Sequence, residues 1–246
     1  GLCYRQDAHW QIGRREHLLP YAGCMRILGL NTASIRSKMM TMNEKLSAAR
    51  AVRMPTLADA MLANIMAPST ATSALTKAAL VVFGSLLLAV SAQFKIPLYP
   101  VPVTGQTLVV LLIGMTYGPR LGGITVAAYL FEGAIGLPVF AGGAAGMAVL
   151  FGPTGGYLFG FLLAAVAMGY LAERGMGRSV VSTVIAMVIG NMVIYLCGAS
   201  WLAGFIGFGK AMAAGVLPFL YGDALKLAVA AGLMPLAWRA VKAAQK

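Results

Sequence analysis

The sequence predicts an all-α integral membrane protein with six transmembrane helices, and two observations support that prediction. Of its 246 residues, 59% are hydrophobic and only 11% are charged, whereas soluble domains average about 45–50% apolar and about 25% charged residues. From residue 76 onward, apolar runs alternate with segments rich in Gly, Pro or charge. A soluble core does not need so apolar a sequence, so a lipid bilayer is the predicted solvent.

Basic residues concentrate at the start of the chain. Residues 1–53 hold nine of the nineteen Lys and Arg residues and show little hydrophobic periodicity. We predict that they form a basic disordered tail or a non-native extension upstream of the true start, for which Met39, Met40 and Met42 are candidates. Acidic residues in this segment argue against the alternative of a mitochondrial targeting peptide.

A short amphipathic helix and a linker are predicted for residues 54–73. In "TLADAMLANIM", Leu57 and Met61 share one helical face with later apolar residues, and Thr56 and Asp59 have the spacing of a capping box. We expect this helix to lie at the membrane surface. The predicted membrane domain then occupies residues 74–246.

The spans have the length that a bilayer requires, or slightly less. About 20 apolar residues cross a hydrocarbon core of about 30 Å, and thinning of the bilayer accommodates shorter helices. An even number of spans puts both termini on one side; the inner flanks then hold seven Lys and Arg residues and the outer flanks two. This asymmetry predicts an N-in, C-in orientation. The predicted spans are 76–94, 106–117, 120–135, 154–173, 179–201 and 217–239.

The three outer connections are unusual for loops. Segments 95–105, 136–153 and 204–216 are rich in Gly or Pro and almost free of charge. Hydrated loops are normally polar, and irregular backbone at membrane depth must be buried in protein or line a cavity. We therefore predict that these outer loops close over a ligand pocket.

Two charges lie inside the last span, in "YGDALKLAVAAG". Asp223 and Lys226 are three residues apart, and Lys226 lies on the order of 10 to 15 Å from the start of its helix. One interpretation is an ion pair that only neutralises itself. A buried pair costs desolvation, however, so it indicates a site better than it indicates stability. We favour a pocket because other polar residues fall in the same outer half of the spans: Thr104, Gln106, Tyr129, Thr154 and Tyr157.

Several other features are better explained by packing. Glycine pairs with GxxxG spacing, such as Gly114/Gly118 and Gly156/Gly160, mostly allow close helix approach in membranes. Asn191 is expected to form an interhelical hydrogen bond, and Cys197 to be a small buried hydrophobe.

Composition also excludes several classes of function. The net charge of +12 does not indicate nucleic-acid binding, because the basic residues of the membrane domain are scattered. Both histidines precede that domain, so neither a metal cluster nor a catalytic histidine is predicted there. "GFGKAM" has Ala211 where a phosphate loop needs Ser or Thr. We predict no enzymatic activity, metal, cofactor or nucleic-acid partner for this chain.

Three blocks in order resemble the BioY family, over roughly residues 74 to 240. They are "IPLYPVPVTGQTLVVLLIG" (96–114), "YLFEGAIGLPVFAGGAAGMAVLFGPTGGYLFGF" (129–161) and "LPFLYGDALK" (217–226). The resemblance implies a six-helix substrate component of an energy-coupling factor (ECF) transporter that captures biotin from outside. It also implies a multi-pass protein of the cell membrane, partnered by a transmembrane coupling protein and a pair of ATPases that use ATP.

The resemblance implies ligand contacts at the Asp and Lys of "GDALK" and in the first outer loop. Biotin offers a ureido group with two donors and one acceptor, an apolar ring and chain, and a carboxylate. Relatives that carry an amide near "PVFAGG" differ from this chain, which has Gly142 and Gly143 there. The candidate ligand-binding residues are Asp223, Lys226, Thr104, Gln106, Tyr129, Phe140, Thr154, Gly155 and Tyr157.

Partner docking is expected on small residues of the first span. Ala74, Ala78, Ser85 and Ala89 have the spacing for close helix approach, and the resemblance implies that such a face meets the coupling protein. Two other hypotheses stay open at this point. The chain could be a substrate component for another small vitamin or cofactor precursor, or a membrane scaffold without transport function.

Overall fold

The computed structural model describes residues 54–65 and 70–244, and their side chains over 54–61 and 74–244. Predictions for the basic tail and for the linker at 66–69 lie outside the described residues. The helices and strands are α1 (Leu57–Ile65), α2 (Thr70–Gln93), β1 (Lys95–Ile96), β2 (Val103–Thr104), α3 (Gln106–Ala134), α4 (Met147–Phe151), α5 (Gly155–Glu173), α6 (Val180–Ile206), α7 (Phe208–Gly215) and α8 (Leu217–Ala244).

The described part of the chain is dominated by apolar helices. Within it, five helical stretches are long and apolar enough to cross a membrane. Strands β1 and β2 form a two-residue antiparallel ladder in the first predicted outer loop. The five stretches are Ala74–Gln93, Gln106–Ala134, Gly155–Glu173, Val180–Ile206 and Phe208–Ala244.

Helix α3 folds back on itself at Gly118. A continuous helix would separate Gln106 and Tyr129 by about 35 Å, yet Gln106 Nε2 donates a hydrogen bond to Tyr129 OH at 2.6 Å. Gly118 has φ 80° and ψ 177°, a conformation that favours glycine, and Pro119 then starts the second arm. The arms 106–117 and 119–134 correspond to the predicted second and third spans.

Close contact between α3 and α5 forms the centre of the bundle. A Cβ atom built on Gly114 would lie 2.5 Å from Ala165 O, and one built on Gly169 would lie 2.1 Å from Pro119 N. A larger side chain cannot occupy either position without moving backbone. The packing interpretation of Gly114 therefore agrees with the structure, whereas Gly118 serves the turn.

The segment containing α1 contacts one end of the bundle. Thr56 and Asp59 form the predicted capping box: Thr56 Oγ1 donates to Asp59 Oδ2 at 2.9 Å, and Asp59 N donates to Thr56 Oγ1 at 3.3 Å. Leu57 packs with Trp238 in a small cluster with Ala60 and Val241. Met61, which the apolar pattern places on the same face as Leu57, is exposed.

The third predicted outer loop is helical. Helix α6 continues to Ile206, Gly207 breaks it with φ 82°, and α7 follows directly. The segment 204–216 contains no proline, and only one of its four glycines, Gly207, interrupts the helix, so this apolar sequence belongs to two helices joined at that glycine.

Candidate functional site

A cavity of about 190 Å³ lies at the end of the bundle opposite α1. Its walls come from the segment 101–107, the segment 140–149 and helices α5, α6 and α8, and most of the lining is apolar. Five of the residues predicted to bind ligand line it: Thr104, Gln106, Phe140, Thr154 and Tyr157.

Gln106 is held from both ends of its amide. Thr104 Oγ1 donates to Gln106 Oε1 at 3.0 Å, and Gln106 Nε2 donates to Tyr129 OH at 2.6 Å. Tyr129 OH in turn donates to Val139 O at 3.0 Å. Tyr129 is fully buried and does not line the cavity, so its described contacts join α3 to the loop that covers the cavity.

Asp223 and Lys226 lie directly behind the cavity wall. Lys226 Nζ is 3.0 Å from Asp223 Oδ1, and Asp223 is 4% exposed. Lys226 Nζ also donates to Thr107 Oγ1 at 2.7 Å, and Tyr195 donates its hydroxyl hydrogen to Asp223. Thr107 and Tyr195 line the cavity, whereas the two charged residues do not. The ion pair is therefore one hydrogen bond removed from the cavity.

These contacts determine whether the Tyr195 and Thr107 hydroxyls can donate or accept a hydrogen bond in the cavity. Because Tyr195 donates its hydrogen to Asp223, its oxygen remains an acceptor toward the cavity. Because Thr107 Oγ1 accepts from Lys226, its own hydrogen remains available to donate. The wall thus presents one acceptor and one donor backed by opposite charges, and hydrogen bonds to charged groups are the stronger kind.

Aromatic side chains supply a flat apolar surface beside these hydroxyls. Tyr157 stacks on Phe219 with ring centroids 5.9 Å apart, and Tyr195 meets Phe219 edge-on at 6.2 Å. Tyr157 OH donates to Gly215 O at 2.8 Å, which fixes its ring against α7. Planar ligand groups pack well on such surfaces.

Four lining residues in this region were not predicted, although three carried a signal. Thr107 follows Gln106 directly, and Tyr195 is a polar aromatic in the outer half of a predicted span. Phe219 lies one helical turn before Asp223. Ile194 carries no signal that separates it from other apolar residues of α6.

Gly155 is part of the framework of the site. A Cβ atom built there would lie 1.8 Å from Leu150 O, so the glycine lets the start of α5 approach the preceding segment. It does not line the cavity.

The predicted docking residues share one face of α2 but differ in exposure along it. Ala74 and Ala78 are exposed and Ala89 is half-buried, whereas Ser85 is 1% exposed. Ser85 Oγ donates to the carboxylate of Glu132, so this residue joins α2 to α3. Ser85 is therefore not part of an exposed docking face, because its hydroxyl has a partner inside the bundle.

Metal binding has no support in the part of the chain that the structure describes. Across 54–65 and 70–244, no three His, Cys, Asp or Glu residues come together as a metal site.

An apolar cavity with a few convergent polar groups, set among membrane-length helices, defines a membrane protein that binds a small molecule. The BioY family model matches residues 48–243 of this chain. The chain therefore belongs to the BioY family.

Individual relatives match more than half of this chain. A probable biotin transporter BioY from Pyrococcus horikoshii is 44% identical over 144 residues, which are 58% of this chain and 85% of that protein. A biotin transporter BioY from Thermotoga maritima is 43% identical over 146 residues, 59% of this chain and 85% of the relative. A biotin transporter BioY from Rhizobium etli is 39% identical over 162 residues, 63% of this chain and 84% of the relative.

A solved structure shares the fold. The crystal structure of the S-component for biotin from an ECF-type ABC transporter superposes with a TM-score of 0.63 and 25% sequence identity. The match covers 70% of this chain and 95% of that chain.

Proposed function

We propose that this chain is the biotin-binding substrate component of an ECF-type transporter. The observation that carries the proposal is the cavity, which combines apolar walls with a polar floor. The floor is formed by the hydroxyls of Thr107 and Tyr195, which are hydrogen-bonded to Lys226 and Asp223. The relatives are named as biotin transporters. The chain captures the vitamin and does not transform it, so it is not an enzyme.

The polar floor matches the ureido group of biotin. Tyr195 accepts a hydrogen bond from a ureido N-H, and Thr107 donates one to the ureido oxygen. Asp223 and Lys226 hold these hydroxyls in their donor and acceptor roles from behind the wall. The fused ring rests on Phe219 and Tyr157, and Gln106 and Thr154 supply the remaining polar contacts.

The folded-back α3 and the distribution of charge support six membrane segments with both ends of the membrane domain inside. The end that holds α1 also holds Arg178, whose Nη2 donates to Pro55 O at 3.3 Å and whose guanidinium carbon lies 4.6 Å from the Trp238 ring centre. Lys95 and the cavity lie at the opposite end. The basic end faces inward by the positive-inside rule, so the cavity opens to the outside of the cell membrane.

Transport requires partners that this chain does not contain. A transmembrane coupling protein docks on the exposed face of α2 around Ala74 and Ala78, and a pair of ATPases supplies the energy. Small residues on an exposed helix face allow the close approach that such docking needs. ATP is used by the partner subunits, and the chain itself needs no cofactor.

The test is saturable binding by the purified protein. Thermal unfolding is measured with biotin and with a panel of other vitamins, and binding of labelled biotin is titrated in parallel. We expect biotin alone to raise the unfolding midpoint, because a ligand that binds only the folded state stabilises it. A shift with another vitamin and none with biotin would assign the chain to that vitamin instead.

A further inference from the structure

The ligand assigned above carries a carboxylate, and the cavity wall offers it no charge. None of the lining residues is charged. Behind the wall, Lys226 is already paired with Asp223, so the pair contributes no net charge. A carboxylate that leaves water without a cation partner pays a large desolvation cost.

One cation lies at the rim of the cavity. Lys95 pairs with Thr104 across the β1–β2 ladder. Directly paired residues of an antiparallel ladder project to the same face, and Thr104 lines the cavity. The Lys95 side chain is therefore directed to the cavity side of the ladder.

The other wall of the rim has room for this ammonium group. A Cβ atom built on Gly142 would lie 1.9 Å from Lys95 Nζ, so the ammonium takes the space that a side chain at 142 would need. Gly142 has φ +72°, which also favours glycine. The neighbouring Ala141 lines the cavity. Among the described residues, no carboxylate forms an ion pair with Lys95.

We propose that Lys95 binds the carboxylate of the ligand at the rim of the cavity, between the β1–β2 ladder and the 140–144 loop. This inference rests on the proposed function and adds an orientation to it. The ureido ring points to Thr107 and Tyr195, and the acid end of the pentanoate chain meets Lys95. Gly142 is the residue that lets the ammonium reach this place.

The experiment compares two ligands and several variants of the full chain. Biotin and biotinamide are titrated against wild type, Lys95→Ala and Lys95→Gln. Biotinamide keeps the ring and chain but carries no charge. Lys210→Ala is the matched control, because Lys210 is the other basic residue of the predicted outer flanks and lies exposed on α7. Lys95→Arg tests whether a cation alone suffices.

In the wild type, biotin should bind about five-fold more tightly than biotinamide, the size expected for a partly exposed charged contact. Lys95→Ala and Lys95→Gln should lose that preference, with biotin weakened and biotinamide unchanged. Lys95→Arg should retain most of it, and Lys210→Ala should match the wild type.

Equal weakening of both ligands, or an unchanged preference in Lys95→Ala and Lys95→Gln, would overturn the assignment of Lys95 while leaving biotin binding intact. An absence of biotin binding in the wild type would instead overturn the proposed function, and this inference with it.

Discussion

The two ends of the bundle differ in the space around some of their glycines. At the end that holds α1, Cβ atoms built on Gly169 and Gly177 would lie 2.1 Å from Pro119 N and 2.4 Å from Met115 Cε. At the cavity end, Gly136, Gly143 and Gly146 have positive φ and no atom within 4 Å of a built Cβ. The inner end is closely packed around its glycines, whereas the cavity end combines close contacts, as at Gly155, with turns whose glycines have no neighbour within 4 Å.

This difference indicates that the inner end mainly stabilises the fold, whereas the outer end binds the ligand. Close packing at the inner end holds α3 against α5, so its loss affects the whole bundle. At the outer end, short turns set a cavity among otherwise packed helices, and a few hydroxyls there are backed by an ion pair. Changes at the two ends should therefore differ in whether they alter stability or affinity.

The largest effect is expected from placing a larger side chain in the contact between α3 and α5. Gly169→Leu places a side chain where Pro119 N would lie 2.1 Å from its Cβ, so α3 and α5 cannot approach and the folded protein is lost. The yield of monodisperse protein in detergent measures this. Gly232→Leu is the matched control, because nothing lies within 4 Å of a Cβ there. Normal yield of Gly169→Leu would contradict the packing account.

A smaller effect is expected at the cavity floor. Tyr195→Phe removes the hydroxyl that we propose accepts from the ureido group, and it also leaves Asp223 without that donor. A hydrogen bond of about 1 kcal/mol corresponds to about a five-fold loss of biotin affinity. Tyr170→Phe, at a side chain that is 52% exposed, is the control. Unchanged affinity in Tyr195→Phe would remove this hydroxyl from the site.

The smallest effect on binding is expected at the α1 contact. Trp238→Ala removes the ring that packs on Leu57 and lies under Arg178. We expect the free energy of unfolding to fall by about 3 kcal/mol, with biotin affinity unchanged. Thermal unfolding with Leu236→Ala, at an exposed residue of the same helix, provides the comparison. A loss of affinity in Trp238→Ala would mean that the two ends are coupled.

Much of the fold could be predicted because its signals are local. Hydropathy located the apolar helices, and the spacing of Thr56 and Asp59 gave the capping box that the structure contains. The break between the second and third predicted spans fell at Gly118, where the backbone turns. The glycine content of 204–216 predicted an outer loop, but this apolar segment forms helices.

The site was less predictable because its contacts are distant in sequence. The candidate list contained Asp223 and Lys226 but not the residues that stand between them and the cavity. Tyr195 reaches Asp223 across 28 residues, and Lys226 reaches Thr107 across 119. The exposed docking face failed at Ser85 for the same reason, since Glu132 lies 47 residues away.

The most direct test of the central claim is labelled-biotin binding by the wild type and by Lys226→Ala. Removing Lys226 leaves Asp223 buried without its cation and Thr107 without its donor. We expect saturable binding in the wild type and a loss of more than about ten-fold in the variant.

Expression should stay normal in Lys226→Ala, and Lys242→Ala, at an exposed inner-end residue, should bind like the wild type. If Lys226→Ala is destabilised while its folded fraction binds biotin with wild-type affinity, the pair serves only the fold and the account of the cavity floor is contradicted.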